Sequence, residues 1–171
     1  MTIRRFQKII LDWYEENKRP MPWRNTRDPY KILVSEIMLQ QTQVSRVLPK
    51  YKEFLKAFPT IETLVKAPDK KLLKVWTGLG YWRRAKYLKE TVKIITKKYA
   101  GKFPKDPKIL ETLPGIGPYT SRAIACFAFN RCEPFLDTNI RRVYLHFFFK
   151  NKTNVPDKEI LKIAERAIAP I

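Results

Sequence analysis

The chain has 171 residues, of which 44% are hydrophobic and 13% aromatic, enough to bury the core of one sizeable domain or two small ones. Its 35 lysines and arginines against 16 acidic residues give a formal net charge of +19, which favours a polyanionic partner such as nucleic acid; a lysine-rich, solvated surface is the alternative. No uncharged stretch approaches the roughly 20 residues of a membrane span, and the N-terminal segment lacks the apolar run of a signal peptide.

Helical periodicity dominates the chain, and no convincing alternating strand pattern is present, so we predict an all-α fold. The segment KRPMPWRNTRDP (18–29) is predicted to be a loop because prolines interrupt it, and Pro59 and Pro68 are predicted to mark turns. The predicted helices are 3–16, Tyr30 to Val47, Pro49 to Ala57, 69–76, 82–99, 109–113, 119–129, 140–149 and 157–168.

The stretch LPGIGPYT (113–120) separates two of these helices by a stiff turn with two glycines. Glycine permits positive φ and has no Cβ to obstruct an approaching backbone. The following helix presents N–H groups without partners and the positive end of its dipole, which together suit a nucleic-acid phosphate. The alternative is an ordinary corner between two helices.

Several motifs resemble a known family. LPGIGPYT followed by LDTNIRRV is similar to the helix–hairpin–helix and Gly/Pro-Asp signature of base-excision DNA glycosylases of the endonuclease III-like superfamily. PWRNTRDPYKILVSEIMLQQTQV and WTGLGYWRRAKYL resemble the MutY-type adenine glycosylases within it. The resemblance implies two helical lobes with a DNA-binding cleft between them. We expect 22–130 to form a six-helix barrel with the hairpin motif at about 109–127, and 1–21 with 131–171 to form a second lobe, shorter than in the family.

The resemblance implies hydrolysis of the N-glycosidic bond of adenine mispaired with 8-oxoguanine or guanine in double-stranded DNA. Such a reaction needs a proton for the leaving base and stabilisation of the positive charge on the sugar. Glu36 stands in the apolar run SEIML, where desolvation can raise its pKa, and by resemblance is the general acid. Asp137 similarly stabilises the sugar cation, although an aspartate in front of a helix can also be only its N-cap.

Tyr119 stands where superfamily members that also cleave the DNA backbone carry a lysine. Lysine forms a Schiff base with the sugar, and tyrosine cannot, so the resemblance implies a monofunctional hydrolase. Tyrosine at this position also occurs in glycosylases of G·T and G·U mismatches. A thymine/uracil glycosylase is therefore one alternative function, and a non-catalytic DNA-binding module is another.

Other residues match the family's DNA contacts. Gln41 and Tyr81 resemble residues that probe beside the partner base once the target nucleotide is extruded; an exposed glutamine and a core tyrosine are the alternatives. Trp23 can instead anchor its loop to the core. The positions expected to line the adenine pocket are Arg19, Trp23, Arg24 and Leu39, and those expected to hold the DNA backbone are Gly115, Ile116, Gly117 and Thr120.

Two cysteines, Cys126 and Cys132, are present, and we expect them to be reduced in a monomeric, intracellular protein of the cytoplasm, nucleoid or nucleus. Members of the resembling family continue with a further pocket glutamate, four cysteines that hold a [4Fe–4S] cluster, and a domain that reads 8-oxoguanine. We expect no metal and no cofactor within this chain, because it lacks those four cysteines. A natural minimal enzyme and a piece of a longer one both stay open.

Overall fold

The computed structural model describes residues 1–150, 152 and 154–168. Within these residues it has α-helices and one short 3₁₀ helix (Pro22–Asn25) but no β-strand, which confirms the predicted all-α fold class. None of the helices in this part of the chain is long and apolar enough to cross a lipid bilayer. The helices are α1 (Ile3–Asn17), α2 (Pro29–Leu39), α3 (Val44–Ala57), α4 (Ile61–Lys66), α5 (Asp69–Trp76), α6 (Arg83–Tyr99), α7 (Pro107–Leu110), α8 (Pro118–Phe129), α9 (Thr138–Phe149) and α10 (Asp157–Ala167).

The chain divides into two compact units. The central unit is Met21–Arg131 and contains the 3₁₀ helix and α2 to α8. The terminal unit combines Met1–Pro20 with Cys132–Ile171 and contains α1, α9 and α10.

Helix α2 is the centre of the core of the central unit. It packs against α3, α6 and α8, and every residue from Ile32 to Met38 is buried. A helix that is apolar on all sides can be stable only when other elements surround it. Asp28 caps its N-terminus by accepting hydrogen bonds from the backbone N–H groups of Tyr30 (2.9 Å) and Lys31 (3.4 Å). Glu36 is therefore held on a rigid, buried element.

The predicted helix from Tyr30 to Val47 is wrong at its centre. The chain leaves the helical conformation after Leu39, and α3 begins at Val44. Gln41 adopts a left-handed conformation with φ of +54°, which ends the helix although no glycine or proline marks the position. Pro49, predicted to start a new helix, instead lies inside α3. Because proline has no backbone N–H, the second turn of α3 lacks one helical hydrogen bond.

Helix α4 was not predicted, because Pro59 and Pro68 favoured turns. A capping box starts it: the Thr60 hydroxyl accepts from the Thr63 N–H at 3.4 Å, and the Thr63 hydroxyl accepts from the Thr60 N–H at 3.1 Å. These reciprocal bonds stabilise a helix of six residues between the two prolines.

In the terminal unit, α10 packs against both α1 and α9. Phe6 of α1 is buried, and its ring centroid lies 5.0 to 5.3 Å from the rings of three aromatic residues of α9, namely Tyr144, Phe147 and Phe148. Offset and edge-to-face contacts of this kind stabilise aromatic clusters beyond their burial alone. Helices α1 and α9 thus share a small aromatic cluster, and α10 contributes the buried aliphatic residues Ile160 and Ala164 to this unit.

The expectation of two reduced thiols is wrong, because both Cys126 and Cys132 are disulfide-bonded. Cys126 is half-buried in the last turn of α8 rather than deep in the core. Helix α8 ends at Asn130, which has a φ of +55°, and the Arg131 N–H donates to the Ala125 carbonyl oxygen at 3.0 Å. The helix thus ends in a left-handed residue between the two cysteines. The spacing of the cysteines in the sequence does not reveal this local conformation, so it did not predict the disulfide.

Candidate functional site

Glu36 is a buried carboxylic acid at the centre of the central unit. Its side chain is 8% exposed, and no hydrogen bond or ion pair reaches its carboxyl group from the described residues. Desolvation raises the pKa of Glu36 to about 7. A carboxyl group in these surroundings keeps a proton near neutral pH and can deliver it to a leaving group, which is the chemistry predicted for this residue.

The residues just after α2 tie it to the glycine hairpin. Gln40 donates through its side-chain nitrogen to the Gly115 carbonyl oxygen at 3.2 Å and to the Thr120 hydroxyl at 3.5 Å. Thr120 is buried, and its hydroxyl accepts the hydrogen bond from Gln40. Its backbone N–H, rather than its side chain, is therefore the group that could bind a phosphate.

The hairpin depends on glycine at one of its two positions. Gly115 has a φ of +75°, and a Cβ there would lie 2.9 Å from the Cβ of Tyr87. Gly117 is extended, with φ of −95°, and has open space around it. It is the N-cap of α8 and provides no side-chain hydrogen bond to the first turn. The side chain of Ile116 is buried between them and anchors the loop.

A groove of about 650 Å³ opens beside this hairpin. It contains two of the predicted DNA contacts, Gln41 and Tyr81, and both have left-handed backbones, with φ of +54° and +43°. Tyr81 is 64% exposed, so the core alternative for this residue does not hold. The lining begins four residues after Glu36 and does not include the acid itself. The groove is lined by Gln40, Gln41, Tyr81, Trp82, Arg83, Arg84 and Tyr87.

Five of these seven lining residues are not among the predicted site residues, namely Gln40, Trp82, Arg83, Arg84 and Tyr87. Trp82 is exposed, and the Lys86 ammonium lies 4.7 Å from the centroid of its ring. Arg84 is buried although it lies in a run of basic residues. The exposed aromatic residues next to basic ones in GYWRRAKY are the sequence signal that could have indicated a nucleic-acid surface.

The four predicted pocket residues differ in how exposed they are. Trp23 is buried in the core, with its ring 5.2 Å from that of Tyr51 in an edge-to-face contact, which favours the alternative that it anchors the loop. Leu39 is partly buried against the same core, and Arg24 is exposed. Arg19 is exposed and belongs to the terminal unit.

The remaining catalytic candidates lie at helix N-termini. Tyr119 is the second residue of α8 and is 39% exposed. Asp137, in the terminal unit, is half-buried and caps α9, because its carboxylate accepts a hydrogen bond of 2.6 Å from the Ile140 N–H. The cap is therefore real, and one oxygen of the carboxylate is used for it.

No group of three or more His, Cys, Asp or Glu side chains suited to a metal ion is found in the described residues. A [4Fe–4S] cluster takes four cysteine thiolates, and the chain has two cysteines, both already in a disulfide bond. The residues present therefore do not fit such a cluster.

The fold and motifs define a class of protein. A family model described as "HhH-GPD superfamily base excision DNA repair protein" matches residues 34–170, and the chain belongs to this superfamily. The family predicted from the sequence is thereby confirmed. The relatives include proteins named adenine DNA glycosylase: that of Buchnera aphidicola subsp. Baizongia pistaciae is 41% identical over 172 residues, with 100% of this chain and 49% of that protein covered. That of Mycolicibacterium smegmatis is 46% identical over 135 residues, with 78% and 46% covered. The chain spans about half the length of these curated relatives.

Solved structures share the same fold. A thermostable thymine-DNA glycosylase is similar with a TM-score of 0.89 and 32% identity, over 98% of this chain and 78% of that chain. An endonuclease III–DNA complex is similar with a TM-score of 0.79 and 20% identity, over 99% and 79% of the two chains. The second likeness shows the fold alone.

Proposed function

We propose that this chain is the catalytic part of a monofunctional DNA glycosylase that removes adenine mispaired with 8-oxoguanine or guanine. The observation that carries the proposal is the buried Glu36 carboxyl, whose pKa burial raises to about 7, on the helix that leads into the groove of Gln41 and Tyr81. The names of the relatives support adenine as the base.

In this proposal the reaction is acid-assisted hydrolysis. Glu36 transfers its proton to a ring nitrogen of the adenine while the bond between that base and C1′ of the sugar breaks, and the bonding electron pair leaves with the base. Asp137 stabilises the positive charge that develops on the sugar. Water then adds to C1′, and one of its protons returns to the Glu36 carboxylate. The products are free adenine and an abasic site in an unbroken strand.

Access to the base requires the nucleotide to leave the duplex. Gln41 and Tyr81 are proposed to fill the space it leaves, since both are exposed at the groove and offer an amide and a planar ring. The hairpin is proposed to hold a phosphate on backbone N–H groups of the uncapped α8 N-terminus. The net charge of +19 supports DNA as the partner.

The likeness to a thymine-DNA glycosylase, with 32% identity and a TM-score of 0.89, favours a second candidate. In that case the same acid and groove would serve removal of thymine or uracil opposite guanine. The relatives named for adenine have higher identity, 41% and 46%, which is why adenine is the first candidate.

Four labelled duplexes, carrying A·8-oxoG, A·G, T·G and U·G, distinguish these candidates. Each is incubated with the chain and then treated with alkali, which breaks the strand at abasic sites. Breaks in the first two support adenine, and breaks in the last two alone support the second candidate. Binding that weakens with salt but gives no breaks on any duplex would leave only a DNA-binding module.

The role of Glu36 is tested by Glu36→Gln, which keeps the shape of the side chain and removes its proton donor. We expect excision to fall by at least about 10²-fold, the usual contribution of a general acid, while affinity for the duplex stays the same. Glu90→Gln is the matched control, because Glu90 is an exposed glutamate on α6. Equal excision rates of the two variants would remove Glu36 from this role.

A further inference from the structure

Arg84 is a buried cation to which the proposed reaction gives no part. It is the second residue of α6, is 8% exposed, and forms no ion pair with any carboxylate of the described residues. The four hydrogens of its two terminal nitrogens instead face six acceptor oxygens in two separate turns of the chain, so that some of these hydrogen bonds are bifurcated. Burial of a guanidinium is unfavourable unless its donors are used. Both terminal nitrogens of Arg84 are used, whereas its buried Nε has no hydrogen-bond partner among the described residues.

The first nitrogen, Nη1, serves the turn after α2. It donates to the carbonyl oxygens of Ile37 at 3.0 Å and Met38 at 3.1 Å, and also to that of Gln40. Carbonyl groups in the last turn of a helix lack partners within the helix. Arg84 therefore supplies the C-terminal cap of the helix that carries Glu36, immediately before Gln41.

The second nitrogen, Nη2, serves the turn before α6. It donates to the carbonyl oxygens of Leu79 at 2.9 Å and Gly80 at 3.2 Å, immediately before Tyr81. It also donates to the Thr42 hydroxyl at 2.9 Å, across to the first turn. One planar fork thus joins two turns that are about forty residues apart in sequence.

Each turn presents one residue in an unfavourable backbone conformation. Gln41 and Tyr81 both have positive φ, which non-glycine residues keep only when their surroundings impose it. The carbon at the centre of the Arg84 guanidinium also lies 5.6 Å from the centroid of the Tyr81 ring. Arg84 therefore contacts the backbone that precedes both residues and the ring of one of them.

We propose that Arg84 is a positioning residue that fixes the spacing and direction of Gln41 and Tyr81, so that both enter a duplex together where a nucleotide has been extruded. This inference rests on the proposed function of the groove. The partner is duplex DNA with an unpaired position, and Arg84 acts on it through the two groove residues rather than by contact. A lysine cannot replace it, because one ammonium group cannot donate in two directions fixed by a plane.

The test is a double-mutant cycle on mismatch selectivity, the ratio of the dissociation constants for an A·T and an A·8-oxoG duplex. Arg84→Lys and Arg84→Met are made in the native chain and in a chain with Gln41→Ala and Tyr81→Ala. Lys89→Met is the matched control, since Lys89 is also a buried cation on α6, 8% exposed, but donates to the Ala67 carbonyl and to Asp69, outside the groove lining. Thermal unfolding is followed for every variant.

We expect Arg84→Lys to reduce selectivity by about tenfold in the native chain and by less than about twofold when Gln41 and Tyr81 are already alanine. Affinity for the A·T duplex should change little. Lys89→Met should lower the unfolding temperature but leave selectivity intact. If Arg84→Met does not fold, Arg84→Lys carries the test, because it keeps the charge.

Three results would overturn the inference: an equal loss in both backgrounds, a native selectivity ratio of one, or a loss of selectivity in Lys89→Met as large as in Arg84→Lys. The proposed function is judged separately, by whether the native chain excises adenine. If the native chain excises adenine but the effects of the Arg84 and groove substitutions on selectivity are additive, only the positioning role is refuted. If those effects are coupled and the native chain binds selectively but excises no base, only the enzymatic proposal is refuted.

Discussion

The side-chain amide of Gln40 donates to the carbonyl oxygen of Gly115 at 3.2 Å, across 75 positions of sequence. This bond joins the residue that ends α2 to the turn that precedes α8, so the helix with the buried acid and the hairpin are one connected piece. In the proposed reaction, this one hydrogen bond then influences both the binding of a phosphate by the hairpin and the position of Glu36, the proton donor. Any change that moves the hairpin should also affect excision.

Gly115→Ala should reduce the free energy of unfolding by about 2–4 kcal/mol, because the new Cβ adds left-handed strain to a clash. That Cβ would lie 2.9 Å from the Cβ of Tyr87, a part of the side chain that rotation cannot move away. Gly80→Ala is the control, since Gly80 has a φ of +70° but nothing within 4 Å of the added atom. It should lose about 1 kcal/mol, the strain alone. Denaturant unfolding measures both, and equal losses would contradict the role given to Tyr87.

The rate of excision should depend on pH through Glu36. Burial raises the pKa of this carboxyl to about 7, so the proton-donating form predominates below that pH and disappears above it. In single-turnover assays from pH 5 to 9, we expect a loss that approaches tenfold per pH unit above about 7. DNA affinity measured at each pH separates this effect from weaker binding. A rate that rises through pH 7 would instead indicate that Glu36 acts as a base.

Stability should carry the same titration with a definite sign. The pKa of Glu36 is about 7 in the folded chain against its ordinary value of 4.5, so between these pH values the folded state binds a proton that the unfolded state has lost. The contribution of Glu36 to the free energy of unfolding is therefore largest below about pH 4.5 and is lost as the pH rises through about 7. Glu36→Gln avoids this loss and should be more stable than the native chain by up to about 3 kcal/mol at pH 8, with no difference near pH 4.

Denaturant unfolding of both chains at pH 4, 6 and 8 measures this difference. Glu90→Gln controls for the removal of one negative charge from a chain with a net charge of +19. A stability gain in Glu36→Gln that is the same at every pH would mean that the carboxyl is not the source. A gain confined to neutral and alkaline pH would show that this acid is kept at a cost to the fold, as residues placed for chemistry often are.

The sequence pattern identified most helices because their apolar positions repeat with the helical period, as in α1 and α6. It failed at Gln40 to Gln43, where the helix end is stabilised by Arg84 from more than forty residues away. Local propensity cannot report such a partner. Glu36 could be found because a carboxylate in SEIML is unusual. Arg84 could not be found in this way, because it follows Arg83 in a basic run. Only the folded chain shows that Arg83 is exposed and Arg84 is buried.

Arg83 and Lys97 give a direct test of which end of α6 meets DNA. Arg83 is exposed and lines the groove, whereas Lys97 is exposed in the last turn of the same helix, about 21 Å further along. Each phosphate contact contributes about 0.9 to the slope of log affinity against log salt concentration. Arg83→Ala should reduce that slope by about 1, and Lys97→Ala should leave it unchanged. Equal effects would mean that the charge acts at a distance rather than by contact.

Tyr119→Lys should convert the proposed hydrolase into an enzyme that also breaks the strand. Tyr119 is exposed at the start of α8, so an amine at this position can reach a sugar held by the hairpin and attack C1′ in place of water. The imine that forms opens the sugar, allows elimination of the 3′ phosphate, and is trapped on the protein by borohydride. The native chain should give breaks only after alkali.

Tyr87→Lys is the matched control for this variant, because Tyr87 is also an exposed tyrosine and lines the groove. Its lysine should bind DNA but form no trapped complex, since in the proposed arrangement the groove beside Gln41 and Tyr81 receives the duplex and the extruded sugar lies at α8. Trapping by both variants would show only that any lysine near the DNA can react. Trapping by Tyr119→Lys alone would place C1′ of the extruded nucleotide at the N-terminus of α8, where the hairpin is proposed to hold the adjacent phosphate.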